Sequence, residues 1–256
     1  MPHSLIDTLE IAQAQTWWLP ESAILYEREH YCFYLLNGRY HIIRFHPPEG
    51  ETERLLHEIL KITDDTHTRF AFFPHRHQQE VQETLTRVGF QKKSRYEARA
   101  ISVDSEIREP PSYIEVKRVT LFEEMKTVYE IRLGIFGNRE SEPEDNLRRY
   151  LAEATAEPPR VRQFYAIDQR SGEAISQAGM SIFPDLGISF LFAGGTLASA
   201  RGQGAYTALI HARVAYAKSI GIKHVGLFAK EDSSSPILAR QGFKSYGELQ
   251  DWHLKG

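Results

Sequence analysis

Apolar positions along the first hundred residues follow two rhythms. Residues 23–28 and 31–36 are short apolar or alternating stretches, the pattern of strands, and Asn37-Gly38 supplies the positive φ angles of a tight hairpin into a third strand at 40–45. The period then changes. Within 51–62, Leu55, Leu56, Ile59 and Leu60 fall on one helical face; a strand at 69–73, a helix at about 78–88 stopped by Gly89, and an extended segment at 94–103 complete an α/β unit with a mixed sheet.

Punctuation follows in Glu106-Ile107-Arg108-Glu109-Pro110-Pro111-Ser112, where two prolines remove backbone donors and impose extended conformation. Beyond it the pattern predicts a strand at 113–119 and a helix at 122–135 with Met125, Val128, Tyr129, Arg132 and Leu133 spaced by three or four. A second helix at 144–154 starts after Pro143 with acidic residues in its first turn, as the helix dipole favours. Strands at 163–168, 174–183 and 188–197 form a meander with turns at Ser171-Gly172 and Pro184-Asp185. A helix at 205–220 ended by Gly221, a strand at 224–229, a helix near 236–240 and Gly242-Phe243 close the pattern.

The expected class is α/β (α+β) in two domains, each a mixed, mostly antiparallel sheet flanked by helices: 1–105, a linker at 106–111, and 112–256. Leu85-Thr86-Arg87-Val88-Gly89-Phe90 and Leu238-Ala239-Arg240-Gln241-Gly242-Phe243 share Leu-x-Arg-x-Gly-Phe. Either the halves are related copies, or both use a common way of ending a helix.

Composition narrows the classes. With 41% hydrophobic and 25% charged residues the 256-residue chain can bury a core, and a formal charge of -3 gives no basic field for nucleic acid or an anionic membrane. Neither is an expected partner. The single cysteine, Cys32, lies in an apolar run and reads as a buried thiol. No basic leader followed by an apolar stretch opens the chain, and no run approaches the roughly 20 apolar residues of a membrane span, so a cytoplasmic protein is expected. His41, His46, His75 and His77 have no Cys, Asp or Glu beside them at zinc-ligand spacing, and no metal is expected. Trp17-Trp18 reads as packing, and Glu140, Glu142, Glu144 and Asp145 as a solvated helix start rather than a seat for a cationic amine.

The chemistry lies at Thr196-Leu197-Ala198-Ser199-Ala200-Arg201-Gly202-Gln203-Gly204-Ala205-Tyr206, a strand-to-helix passage. Glycines at 202 and 204 remove the Cβ atoms that would keep a phosphate from the backbone, and a helix start leaves N–H groups without partners. There is no Gly-x-x-x-x-Gly-Lys-Ser/Thr and no Gly-x-Gly-x-x-Gly in a βαβ unit, so nucleoside triphosphates and NAD fit poorly.

This passage resembles the loop Arg/Gln-x-x-Gly-x-Gly/Ala of the GNAT superfamily of N-acyltransferases: Arg201, Gly202, Gln203, Gly204 and Ala205 match its first five positions, and Tyr206 departs from the small residue usual at the sixth. The resemblance covers about 112–256. It implies a complete GNAT fold there, acetyl-CoA as cosubstrate bound by Thr196, Leu197, Arg201, Gly202, Gln203, Gly204, Ala205, Tyr206 and Ser234, and a primary amine of a small molecule or protein as acceptor. It also implies that the strand backbone around Leu197 polarises the thioester carbonyl. The family's frequent acid, a tyrosine four residues before the glycine of Gly-Phe, is Leu238 here, so the departing thiolate would take its proton from Ser234, from Ser233, from Tyr206 or from solvent; Ser234 is the assignment to test. The strand 188–197 has no carboxylate, and Asp185, Glu231 and Asp232 read as solvated loop residues rather than bases.

The first half has a truncated form of the same element order, and at Phe45-His46-Pro47-Pro48-Glu49-Gly50-Glu51-Thr52 two prolines and two glutamates disfavour a diphosphate, which implies a degenerate, non-binding copy. Two functions stand: an N-acetyltransferase, or a non-catalytic acyl-CoA-binding sensor or scaffold. A homodimer is compatible with either. Aspartate at Gly204 is expected to weaken CoA binding while leaving the fold largely intact.

Overall fold

The computed structural model describes residues 4–17, 19, 22–36, 38–63, 68–72, 78–137 and 142–254. In chain order its elements begin α1 (Leu5–Gln13), β1 (Ile24–Glu27), β2 (Tyr31–Leu36), β3 (Arg39–Phe45), α2 (Thr52–Thr63), β4 (Thr68–Phe72), α3 (Gln78–Arg87) and β5 (Phe90–Ser102). They continue β6 (Ile114–Arg118), α4 (Phe122–Phe136), α5 (Glu144–Thr155), β7 (Val161–Asp168), β8 (Glu173–Phe183), β9 (Ile188–Thr196), α6 (Ala205–Ser219), β10 (His224–Lys230), α7 (Ser234–Arg240) and β11 (Lys244–Leu254). The chain divides into two compact units that are discontinuous in sequence: Met1–Arg99 with Phe228–Leu238 and Ser245–Gly256, and Ala100–Leu227 with Ala239–Lys244.

The first unit carries a mixed sheet in the order β1-β2-β3-β4-β11-β5. β1, β2 and β3 form an antiparallel meander, β3 runs parallel to β4, and β11 is antiparallel to β4 with Trp252 opposite Phe70. The parallel pair needs a crossover, which α2 supplies. Its apolar stripe is the one the spacing predicts: Leu55, Leu56, Ile59 and Leu60 are all buried, in a core with Phe33, Ile42, Phe70, Leu85 and Trp252. Two elements of this unit have weak sequence signals. At α1, Ser4 Oγ accepts the Asp7 N–H at 3.3 Å while Asp7 Oδ2 accepts the Ser4 N–H at 3.2 Å, a reciprocal cap that satisfies two end groups. At β11, Gln250 and Asp251 are buried alongside Leu249 and Trp252, so no alternation marks the strand.

The second unit orders its strands β10-β9-β8-β7-β6, antiparallel throughout except for the β9/β10 pair. Here α6 is the crossover. It buries Ala205, Ala208, Leu209, Val214 and Ala217, while Met125 and Val128 of α4 and Leu147 of α5 form a core with Val119 and with Tyr165 of β7. The mixed α/β class expected from the pattern is the class observed.

Candidate functional site

The site is built from the end of β9 upward. Gly179 of β8 faces Phe192 and Gln177 faces Gly195, so Ala193 and Gly194 together oppose Ala178. This is a β-bulge, which leaves one residue outside the ladder and re-aims the backbone. Ala193 takes φ +48°, a left-handed conformation that disfavours a side chain by about 1–2 kcal/mol. The Gln177 side chain holds it there, donating from Nε2 to the Ala193 carbonyl at 2.6 Å. A Cβ on Gly179 would lie 2.3 Å from the Phe192 ring, so any side chain there would force that ring to move.

A short 3-10 turn, Ala198–Ala200, leads to the glycine loop, in which Gly202 and Gly204 have φ of +80° and +87° before α6 begins. Among the described residues, none accepts a hydrogen bond from the N–H of Gly202, Gln203 or Gly204. With the first amides of α6, whose intrahelical acceptors are missing by construction, they form a row of free donors at the positive end of a helix dipole. Space above Gly202 is open, since a Cβ there would have no atom within 4 Å, whereas a Cβ on Gly204 would lie 2.5 Å from Pro111 Cγ. Braces hold the loop. The Tyr113 hydroxyl donates to the Gln203 carbonyl at 3.2 Å, and Arg170 Nη2 donates to Gln203 Oε1 at 2.7 Å. Arg170 is itself stacked on the Tyr113 ring at 3.8 Å and bound through Nε and Nη2 to Asp168 at 2.9 and 2.6 Å. The Arg170 guanidinium keeps the Asp168 carboxyl below its ordinary range.

Behind the bulge, α6 presents Tyr206 and Arg213. A Cβ on Gly194 would lie 3.0 Å from Tyr206 Cε2 and 3.8 Å from Arg213 Nη2, so the glycine makes room for the large residue at the sixth loop position. Burial raises the Tyr206 phenol, and the Arg213 charge works against that rise.

The sequence-assigned residues divide accordingly. Arg201, Gly202, Gln203, Gly204, Ala205 and Tyr206 come together at the head of α6, and Arg201 Nε reaches the Thr196 carbonyl at 3.5 Å. Thr196 Oγ1 shares a 2.9 Å hydrogen bond with Ser176 Oγ. Leu197 does not fit its expected role: its N–H donates to the Ile175 carbonyl at 2.9 Å and is therefore not free to polarise a thioester, because the ladder resumes after the bulge. Ser234 belongs to the first unit, where its Oγ accepts the Lys230 N–H at 2.9 Å and closes the turn before α7. Leu238 is fully buried. Glu231 pairs with Arg95 at 3.7 Å, Asp232 with Lys230 at 3.8 Å, and Asp185 sits exposed in a 3-10 turn. Glu142 accepts from Tyr129, Asn146 and Tyr150 at 3.2, 2.7 and 3.2 Å, which makes it a tie between α4 and α5.

Of the histidines, His41 is stacked on Tyr34 and pushed down to about 4 by burial, and His46 contacts Glu10. His75, His77, Trp18, Asn37 and Glu140 lie outside the described residues. Among the described residues no three His, Cys, Asp or Glu side chains are grouped to hold a metal ion. Tyr113, Asp168, Arg170 and Arg213 have no place in the sequence-based expectations; the signal for Arg213 is a charge on the apolar stripe of its helix, four residues from Leu209 and from Ala217.

No protein-family model matches this sequence, and no curated protein matches it. Solved structures do match in fold. A GCN5-related N-acetyltransferase from Kribbella flavida superimposes with a TM-score of 0.69 at 20% identity, over 97% of this chain and 96% of that one. A GCN5-related N-acetyltransferase from Sphaerobacter thermophilus gives 0.70 at 16%, over 99% and 86%. A tandem GNAT protein from the clavulanic acid biosynthesis pathway gives 0.65 at 12%, over 97% and 88%.

Proposed function

We propose that this chain is an N-acetyltransferase that moves an acetyl group from acetyl-CoA to a primary amine of a small molecule or protein. The observation that carries the proposal is the row of unoccupied amides at Gly202, Gln203 and Gly204, at the head of α6 and directly after a bulged strand. These residues suit a diphosphate: donors converge, the space above Gly202 is open, and the exposed Arg201 adds positive charge. The fold shared with structures of N-acetyltransferases supports the same reading.

In this reading the acyl donor supplies an activated carbonyl, and the chain positions it. The amine nitrogen forms a bond to the carbonyl carbon and gives up a proton to solvent; the carbon–sulfur bond breaks, and sulfur keeps the electron pair and takes a proton. Backbone donors at the bulge, around Ala193 and Gly194, replace Leu197 as the groups that meet developing charge on oxygen, an effect worth roughly 3 kcal/mol. Ser234 remains the proposed proton donor, since its hydroxyl accepts from Lys230 but keeps its own proton to give.

Residues 1–105 serve in this proposal as a degenerate copy that does not bind CoA. The measurement that decides is release of free CoA by the full chain against a panel of amines, with calorimetry of acetyl-CoA binding beside it. A non-catalytic acyl-CoA sensor is the second reading, favoured by Leu238 in place of an acid and by the lack of a carboxylate on β9. Binding without CoA release from any amine would select it; no binding at all would sink both.

A further inference from the structure

Two arginines of the second unit are completely buried, and the fold treats them differently. Arg162 is saturated: Nε donates to the Tyr216 hydroxyl at 2.8 Å, Nη1 to the carbonyls of Ala154, Ala156 and Val161 at 3.0 Å each, and Nη2 to Glu157 at 2.5 Å. A carboxylate balances its charge. Arg213 donates from Nε to the Leu209 carbonyl at 2.8 Å and from Nη1 to the Gly179 carbonyl at 3.1 Å, and its Nη2 has no partner among the described residues. None of the described carboxylates pairs with it. Burial pushes the guanidinium down to about 10, which still leaves it charged at neutral pH.

A buried, uncompensated cation is among the least favourable arrangements in a protein interior, and replacement by an apolar group of similar size is often neutral or stabilising. The position of this one is specific. It grips Gly179 on the β8 side of the bulge, and its free Nη2 lies 3.8 Å from where a Gly194 Cβ would stand on the β9 side. Tyr206 packs against the same glycine.

We propose that Arg213 is a positioning residue for acyl transfer: a fixed, solvent-shielded positive charge held behind the β9 bulge, which favours the negative charge that develops on the acyl oxygen at that bulge. The inference rests on the acetyl-transfer reading above. Because the cation is already in place and dehydrated, it needs no rearrangement when charge develops, and this makes a fixed charge effective in catalysis.

Arg213→Met and Arg213→Gln both remove the charge, Gln keeping a donor for Gly179, and Arg213→Lys keeps the charge. Thermal melts, calorimetry with acetyl-CoA, and steady-state kinetics with an amine that the wild-type chain accepts give three separate readouts. Expected are a Tm for Arg213→Met or Arg213→Gln close to or above wild type, acetyl-CoA affinity within about twofold, and kcat lowered by about 10- to 100-fold, with Arg213→Lys recovering much of the loss. Full kcat in a folded, uncharged variant overturns the proposal. So does a parallel loss of Tm, affinity and kcat in all three variants, which marks Arg213 as a structural brace. Should Arg213→Met fail to fold, the Gln and Lys pair decides, since they differ in charge while both can bond Gly179. A wild-type chain that turns over no amine overturns the acetyl-transfer reading and this inference with it; a wild type that turns over beside unaffected variants overturns the inference alone.

Discussion

The passage from β3 into α2 and the passage from β9 into α6 have the same outline: a strand, a turn with left-handed glycine, a helix, and then a strand parallel to the first. Gly50 has φ +77° and Gly202 φ +80°, so backbone shape does not distinguish them. Their donors do. The Gly50 N–H donates to Glu80 Oε2 at 3.4 Å, the Glu51 N–H to the Pro48 carbonyl at 3.0 Å, and Pro47 and Pro48 have no N–H to offer. A carboxylate from the chain already occupies the place an anion would take. At Gly202, Gln203 and Gly204 the N–H groups have no acceptor among the described residues, and side chains from Tyr113 and Arg170 hold the loop through Gln203 without touching them. A helix head becomes an anion site when its amides are left unoccupied and the loop is braced from the side; the presence of glycine alone does not decide.

The largest effect is expected at Gly204→Asp. The side chain would meet Pro111 and force a residue with φ +87°, so both stability and acetyl-CoA affinity should fall, affinity beyond detection by calorimetry. The sequence alone suggests an intact fold; the contact with Pro111, from a segment that reads as a linker, removes that expectation. Retained affinity would move the diphosphate elsewhere.

Ser234→Ala is next, expected to lower kcat on the order of 100-fold at unchanged acetyl-CoA affinity, and to lower stability by about 1 kcal/mol through the lost bond to the Lys230 N–H. Full kcat in the double Ser233→Ala, Ser234→Ala chain would leave solvent or Tyr206 as the donor. Gly202→Asp sharpens the comparison more cleanly than Gly204, because its surroundings are open: calorimetry should show acetyl-CoA affinity about 30-fold weaker, a figure set by one like charge against a diphosphate, with only the strain of a left-handed aspartate on the melt. Arg170→Ala removes the brace but no donor, and a rise of about fivefold in the KM for acetyl-CoA at constant kcat is expected, as for loss of a partly exposed charged hydrogen bond. At the bottom of the scale stands Gly50→Asp, where acetyl-CoA affinity should not change. A measurable loss there would mean that residues 1–105 also bind the cosubstrate.

How much of this is legible in sequence depends on how local the cause is. The α2 stripe, the hairpin and the glycine loop are written in neighbouring residues, and each is found where the spacing predicts it. The β9 bulge is not, since it exists only in the register of β9 against β8; without it Leu197 looks like a free donor when its N–H is already bonded to Ile175. β11 hides for another reason. Its buried polar residues pair with partners remote in sequence or two residues away, Asp251 with Arg69 at 2.6 Å and Gln250 with Trp252 at 3.0 Å, so its pattern resembles a surface segment.

That strand has a consequence in time. Chains are made from the N-terminus, and β11 takes its place between β4 and β5, elements finished by Phe72 and Ser102, long before Lys244 is added. Throughout that interval β4 and β5 each present an open edge, the kind of surface on which nascent chains pair wrongly. This unit is therefore able to close only after β11 is made, and a stop codon placed before Lys244 should damage β1 to β5 as well as the segment it removes: limited proteolysis of such a shortened chain is expected to cut first within β1 to β5.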